Sequence, residues 1–61
     1  MWTLITSDGR RIANIRSEED ARRIVHGLGT TQWRGPSSWD VVDDDGARFI
    51  AEIKHRRGSA T

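Results

Sequence analysis

One stretch of the chain occurs twice with the same spacing of tryptophan, aspartate and glycine. Residues 2–12 align without a gap with residues 39–49, so that Asp8-Gly9 matches Asp45-Gly46. Each copy has a run rich in β-branched residues, then a turn that contains Asp-Gly, then a second alternating run, which is the pattern of a β-hairpin. The repeat therefore predicts two pseudo-equivalent β-hairpins, separated by a segment of different character.

The segment between the two hairpins begins with the pattern of an α-helix. Ser17 opens a capping motif with Asp20 three residues later, and acidic residues fill the first turn. One apolar stripe follows with helical spacing, formed by Ala21, Ile24, Val25 and Leu28. Gly29 then fits the left-handed position that often ends a helix. The pattern predicts a helix of about three turns.

The remaining segments carry weaker signals. Residues 29–38 combine Gly, Pro and hydroxyl side chains, which is typical of a loop, and they contain one aromatic residue, Trp33. Residues 57–61 are polar and small, and we expect them to form a frayed tail. The predicted fold is therefore α+β with the order ββαββ, in which residues 1–56 form one antiparallel sheet with one helix packed on one face.

The alternation within the predicted strands assigns side chains to the two faces of the sheet. We take Asp8-Gly9 as a two-residue turn and residues 44–46 as a three-residue loop, and we expect a β-bulge in the second hairpin because its last strand has one extra residue. The face that packs on the helix is then expected to contain Trp2, Leu4, Ala13, Ile15, Trp39, Val41, Phe49, Ala51 and Ile53. The opposite face is expected to contain four aliphatic residues, Ile5, Ile12, Val42 and Ile50.

Length and composition restrict the ways in which such a fold can be stabilised. The chain has 61 residues and no cysteine, so disulfides and thiolate zinc sites are excluded, and two histidines are too few for a structural zinc site. A core of this size supplies only ~3–5 kcal/mol of stability. Self-association is the remaining way to add buried surface, and we expect a homodimer. We expect no metal ion and no cofactor.

Catalytic and membrane functions are not indicated by the sequence. Asp43, Asp45, Gly46 and Glu52 fall at ligand or turn positions of a calcium-binding loop, but Val41 occupies the first ligand position. A sheet with one helix offers no deep cleft, so we expect neither an enzyme nor a small-molecule substrate. No apolar run approaches the ~20 residues of a membrane span, and the first residues do not have the pattern of a signal peptide, so we expect a cytoplasmic protein.

The first functional hypothesis is a non-catalytic protein-interaction module, such as a regulator or inhibitor of another protein. It would self-associate through the open sheet face, with Ile5, Ile12, Val42 and Ile50 at its centre. Trp33 and Arg34 would form a second contact. The sequence leaves open whether Trp33 covers the edge of the core or is an exposed anchor.

The alternative hypothesis is a nucleic-acid-binding module. The formal net charge of +1 gives no strong global field, so a local patch would have to bind phosphates. The basic residues of the first hairpin and of the C-terminal run are Arg10, Arg11, Lys54, Arg56 and Arg57, and Trp33 would stack on a base. Arg48 is instead expected to pair with Asp43 across the second hairpin.

Overall fold

A computed structural model describes residues 1–55, which form one five-stranded antiparallel sheet and one helix. The elements are β1 (Trp2–Thr6), β2 (Arg11–Ile15), α1 (Glu18–Gly27), β3 (Thr30–Gly35), β4 (Ser38–Val42) and β5 (Arg48–His55). The strand order is β2-β1-β5-β4-β3, and α1 packs on one face. The predicted α+β fold with two hairpins and one helix is confirmed. The predicted frayed tail, Arg56 and Arg57 lie outside the described residues.

The helix begins and packs as its sequence pattern predicts. Ser17 is the N-cap, and its hydroxyl accepts a hydrogen bond from the backbone N–H of Asp20 at 3.1 Å. The stripe of apolar side chains faces the sheet, with Ala21 and Val25 fully buried. No helix among residues 1–55 is long and apolar enough to cross a membrane.

The segment expected to be a loop contains β3, a strand in addition to the four predicted, so the loop prediction is wrong. Thr30–Gly35 pairs antiparallel with β4, with Trp33 opposite Trp39 and Thr31 opposite Val41. Threonine and tryptophan favour strands, and pairing with β4 lets this preference outweigh the turn signals, so that only Pro36 and Ser37 form the turn between β3 and β4. β3 therefore becomes one edge of the sheet, and β2 is the other edge.

The two hairpin turns are built in the same way. Thr6 N–H donates to the Arg10 carbonyl at 3.0 Å, and Asp43 N–H donates to the Ala47 carbonyl at the same distance. In each turn the glycine N–H donates back to the first residue, and the glycine has a left-handed φ of 101° at Gly9 and 83° at Gly46. Both are three-residue loops with glycine in the left-handed position. The two-residue turn predicted for the first hairpin is therefore wrong.

The longer first turn moves Ile12 to the helix side of the sheet. Ile12 lies opposite the buried Leu4, and residues directly opposite in an antiparallel pair share a face. The prediction that Ile12 lies on the sheet face away from the helix is therefore wrong, because one added turn residue exchanges the two faces of the strand that follows.

The β-bulge also lies in the first hairpin rather than in the second. The pairs Leu4 with Ile12 and Trp2 with Ile15 leave one extra residue in β2, where Asn14 has a φ of 63°. β5 pairs without interruption with both of its neighbours. Ala13, which was expected to pack on the helix, is exposed because the longer turn exchanges the faces of β2, and the bulge then returns Ile15 to the core.

The core lies between α1 and the sheet and contains most of the residues that the alternation predicts. Trp2 packs against it while remaining partly exposed. The nine buried apolar residues are Leu4, Ile15, Ala21, Val25, Trp39, Val41, Phe49, Ala51 and Ile53. The centre of this face is therefore used in folding, and the opposite face and the two edges of the sheet remain exposed among residues 1–55.

Gly29 is required by a close backbone approach between the end of α1 and the end of β4. A Cβ atom at this position would overlap the Val42 carbonyl oxygen and lie 2.8 Å from the Asp43 Cα. Gly27, two residues earlier in the helix, has open space around it. The same substitution should therefore have opposite effects at the two glycines.

We expect Gly29→Ala to lower the free energy of unfolding by ~1–3 kcal/mol, because two backbone segments must separate to admit the methyl group. Gly27→Ala should raise it by ~0.5–1 kcal/mol, because alanine loses less backbone entropy than glycine in a helix. Urea unfolding followed by circular dichroism measures both changes. Equal stability of the Gly29→Ala variant and the original protein would contradict the close approach.

Candidate binding surface

The sheet face that points away from α1 is not covered by any element of residues 1–55. We call it the outer face. The packing contacts of α1 are with the opposite side of the sheet. Strand pairing and alternation assign to the outer face Thr3, Ile5, Arg11, Thr30, Gln32, Arg34, Ser38, Asp40, Val42, Arg48, Ile50, Glu52 and Lys54.

The centre of the outer face is apolar. Ile5 on β1 and Ile50 on β5 are half-buried, and Val42 on β4 is 36% exposed. Two open depressions of about 540 and 440 Å³ share Ile50, and a third of about 220 Å³ shares Ile5 with the second. The three depressions therefore form a continuous shallow surface across the strands. Three of the four aliphatic residues expected on this face are present, and Ile12 is not.

Positive charge exceeds negative charge on the outer face. Four basic side chains stand against two carboxylates, Asp40 and Glu52, which gives this face a net charge of +2. The basic residues are Arg11, Arg34, Arg48 and Lys54. Each of them borders one of the three depressions. The apolar centre is therefore surrounded by cations.

The two carboxylates neutralise only half of these cations. Asp40 pairs with Arg34 at 3.2 Å, and Glu52 pairs with Lys54 at 3.6 Å. Arg11 and Arg48 have no ion pair among residues 1–55, and the predicted pair between Arg48 and Asp43 does not form. The existing pairs are exposed, and such pairs contribute only ~0–1 kcal/mol, so an incoming anion can compete for them.

The arginines on the other side of the sheet are engaged in the fold. Arg10 lies over the Phe49 ring at 4.8 Å and pairs with Asp8, and Arg22 lies over the Trp39 ring at 5.3 Å and pairs with Glu18. A hydrogen bond from the Thr6 hydroxyl, together with the Arg10 guanidinium, lowers the pKa of Asp8. These cations stabilise a turn and the helix packing, which distinguishes them from Arg11 and Arg48.

Trp33 lies on the helix side of β3 and is 66% exposed, whereas Trp39 opposite it is 3% exposed. The sequence left open whether Trp33 covers the edge of the core or is exposed, and the structure shows that it is exposed. Trp33 and Arg34 point to opposite sides of the sheet, because Arg34 pairs with Asp40 on the outer face. These two neighbours do not form a single contact.

The residues of the nucleic-acid hypothesis are distributed over separate surfaces. Arg11 and Lys54 border one depression of the outer face, while Arg10 lies on the helix side and Trp33 on the far edge strand. Sequence reasoning did not include Arg48 in any site, because it was expected to pair within its hairpin. The signal that could have found it is its alternation with Ile50 and Glu52 along β5.

Residues 1–55 contain no group of three or more His, Asp or Glu side chains placed to hold a metal ion. No protein-family model, curated protein or solved structure matches this chain. The outer face and the sheet edges are therefore the features from which a function can be inferred.

Proposed function

We propose that the protein is a non-catalytic protein-interaction module whose outer face binds an acidic segment of a partner protein. The observation that carries this proposal is a sheet face that no element of residues 1–55 covers. It has an apolar centre surrounded by four cations, two of which have no ion pair within these residues. Apolar contacts supply affinity, and charge complementarity selects the partner. A regulator or inhibitor of another protein would act through such a surface.

The charge of the outer face argues against its use for self-association. In a two-fold symmetric dimer the same patch lies on both sides of the interface. Two faces with a net charge of +2 would then meet, and juxtaposed like charges cost several kcal/mol. We therefore propose that an acidic partner, rather than a second copy of this chain, binds the outer face.

The aromatic residues favour a protein over a nucleic acid as the partner. Trp2, Trp33 and Trp39 all lie on the helix side, and the outer face has no aromatic side chain on which a base could stack. The outer face also presents two carboxylates and an aliphatic centre, which add nothing to phosphate binding. A binding titration that includes oligonucleotides distinguishes the two kinds of partner.

The positions of Arg11 and Arg48, which have no ion pair in the described part of the chain, define the partner more closely. Arg11, Ile5 and Glu52 form a row across β2, β1 and β5, and Arg48 lies four residues from Glu52 along β5. With strands ~4.8 Å apart and ~3.3 Å per residue, the two arginine backbones are on the order of 16 Å apart. An extended segment with acidic residues four positions apart and an aliphatic residue between them fits this span, since arginine side chains are long.

The test is a binding titration with a labelled peptide of the sequence Ser-Glu-Thr-Val-Thr-Glu-Ser and with its counterpart that has glutamine in place of both glutamates. The glutamate peptide should bind at least about tenfold more tightly at low salt, and the difference should shrink as salt is added. Single-stranded and duplex oligonucleotides of mixed sequence form the comparison. Equal binding of the two peptides, or binding of oligonucleotides alone, would contradict the proposal.

A further inference from the structure

The two edges of the sheet differ in their protection against pairing with another strand. β2 carries Arg11, is followed by Arg16, and is interrupted by a bulge at Asn14. Charges and bulges are the devices by which proteins keep an edge strand from pairing. β3 also has one charged residue, Arg34, and one register shift, between Trp33 and Gly35, but both lie at its C-terminal end. Before them stand four uncharged residues in succession, Thr30, Thr31, Gln32 and Trp33, none of which has a positive φ. The first four residues of β3 are therefore the more open edge.

We infer that β3 pairs antiparallel with β3 of a second copy of this chain, centred on Gln32. In this register Trp33 of one copy lies opposite Thr31 of the other on the helix side, and the two Gln32 residues face each other. Arg34 of each copy lies opposite the uncharged Thr30 of its partner, so no like charges meet across the strands. The edge is thus complementary to itself.

The exposure of Trp33 supports a contact at this edge. It is the most exposed of the large hydrophobic residues among residues 1–55, and tryptophan is enriched in the central contacts of protein interfaces. A chain of 61 residues without cysteine also gains stability from surface buried between copies. Pairing through β3 buries Trp33 and satisfies the free backbone groups of the edge at the same time.

Pairing of two copies through β3 also determines where their outer faces lie, and this holds whether or not the outer face binds an acidic partner. Antiparallel pairing of two identical edges places the two-fold axis perpendicular to the sheet. The two five-stranded sheets then join into one ten-stranded sheet, with both helices on one side and both outer faces on the other. A dimer of this kind presents two binding surfaces in the same direction.

A charge-swap experiment tests the register directly. Gln32→Lys and Gln32→Glu each place like charges opposite each other across the axis, so each variant should dimerise at least about tenfold more weakly than the original protein. An equal mixture of the two variants should restore a dimer, because lysine then faces glutamate. Light scattering coupled to size-exclusion chromatography measures the mass over a concentration series that extends to the millimolar range.

The matched controls are Ala13→Lys and Ala13→Glu, which make the same charge changes on the opposite edge strand, where Ala13 is exposed. Both should dimerise like the original protein. A dimer in the original protein that both Gln32 variants retain would overturn the inference. So would an original protein that stays monomeric throughout the series, or a mixture of the Gln32 variants that stays monomeric.

Discussion

Replacement of Trp39 by alanine is expected to unfold a large part of the protein at 25 °C. The Trp39 side chain, on β4, is 3% exposed, with the Arg22 guanidinium over its ring and the His26 ring 6.2 Å away. Loss of a buried tryptophan costs ~3–5 kcal/mol, because the neighbours refill the cavity only in part. Domains hold ~0.05–0.15 kcal/mol of stability per residue, so this loss is comparable to the total for so short a chain.

The matched control is Trp33→Ala, which makes the same chemical change at the residue opposite Trp39 in the ladder. Because Trp33 is 66% exposed, this variant should lose less than about 1 kcal/mol in the free energy of unfolding of the monomer. Circular dichroism with urea, at a protein concentration low enough to keep the protein monomeric, compares the two variants. Similar losses for both would contradict the assignment of Trp39 to the core and Trp33 to the surface.

The double variant Arg11→Glu/Arg48→Glu is expected to weaken binding of the glutamate peptide by roughly 10- to 100-fold. Both arginines lie beside the apolar centre and have no ion pair among residues 1–55, so their reversal removes attraction and adds repulsion. The fold should remain intact because neither side chain contributes to the core. Peptide anisotropy measures the affinity, and circular dichroism verifies the fold.

The control for each single reversal is Arg23→Glu on α1. It changes the net charge by the same amount, and its side chain is 72% exposed on the helix side, where it makes one exposed ion pair with Asp20. Arg48→Glu alone should lower the affinity for the glutamate peptide by about tenfold, and Arg23→Glu should leave this affinity nearly unchanged. Equal effects of the two changes would show that net charge, rather than the outer face, controls binding.

The sequence repeat predicted the two hairpins, but the face assignment of β2 depended on a single turn residue. A two-residue turn at Asp8-Gly9 is inconsistent with the three-residue loop predicted at its counterpart, Asp45-Gly46. Thr6 and Asp43 stand at equivalent positions, and the side chain of each accepts a hydrogen bond from the backbone four residues later. Consistent use of the repeat would have predicted the three-residue turn at Asp8-Gly9 and the helix-side position of Ile12.

The edge strand β3 could not be predicted from local sequence. Its residues have strand propensity, but Gly29, Gly35 and Pro36 enclose it with turn signals, and only pairing with β4 decides between strand and loop.

The candidate site was predicted in part. Ile5, Val42 and Ile50 lie on the outer face as expected, whereas the cations around them become one surface only when β2, β3, β4 and β5 are brought together.

The most direct test of the outer face as the binding surface is a titration of ¹⁵N-labelled protein with the glutamate peptide, followed by amide chemical shifts. The largest shifts should occur at the amides of Ile5, Val42 and Ile50 and at those of Arg11 and Arg48. The three tryptophan indole N–H signals report on the helix side and should move little. Shifts concentrated on α1 or on the indole signals would contradict the proposed surface.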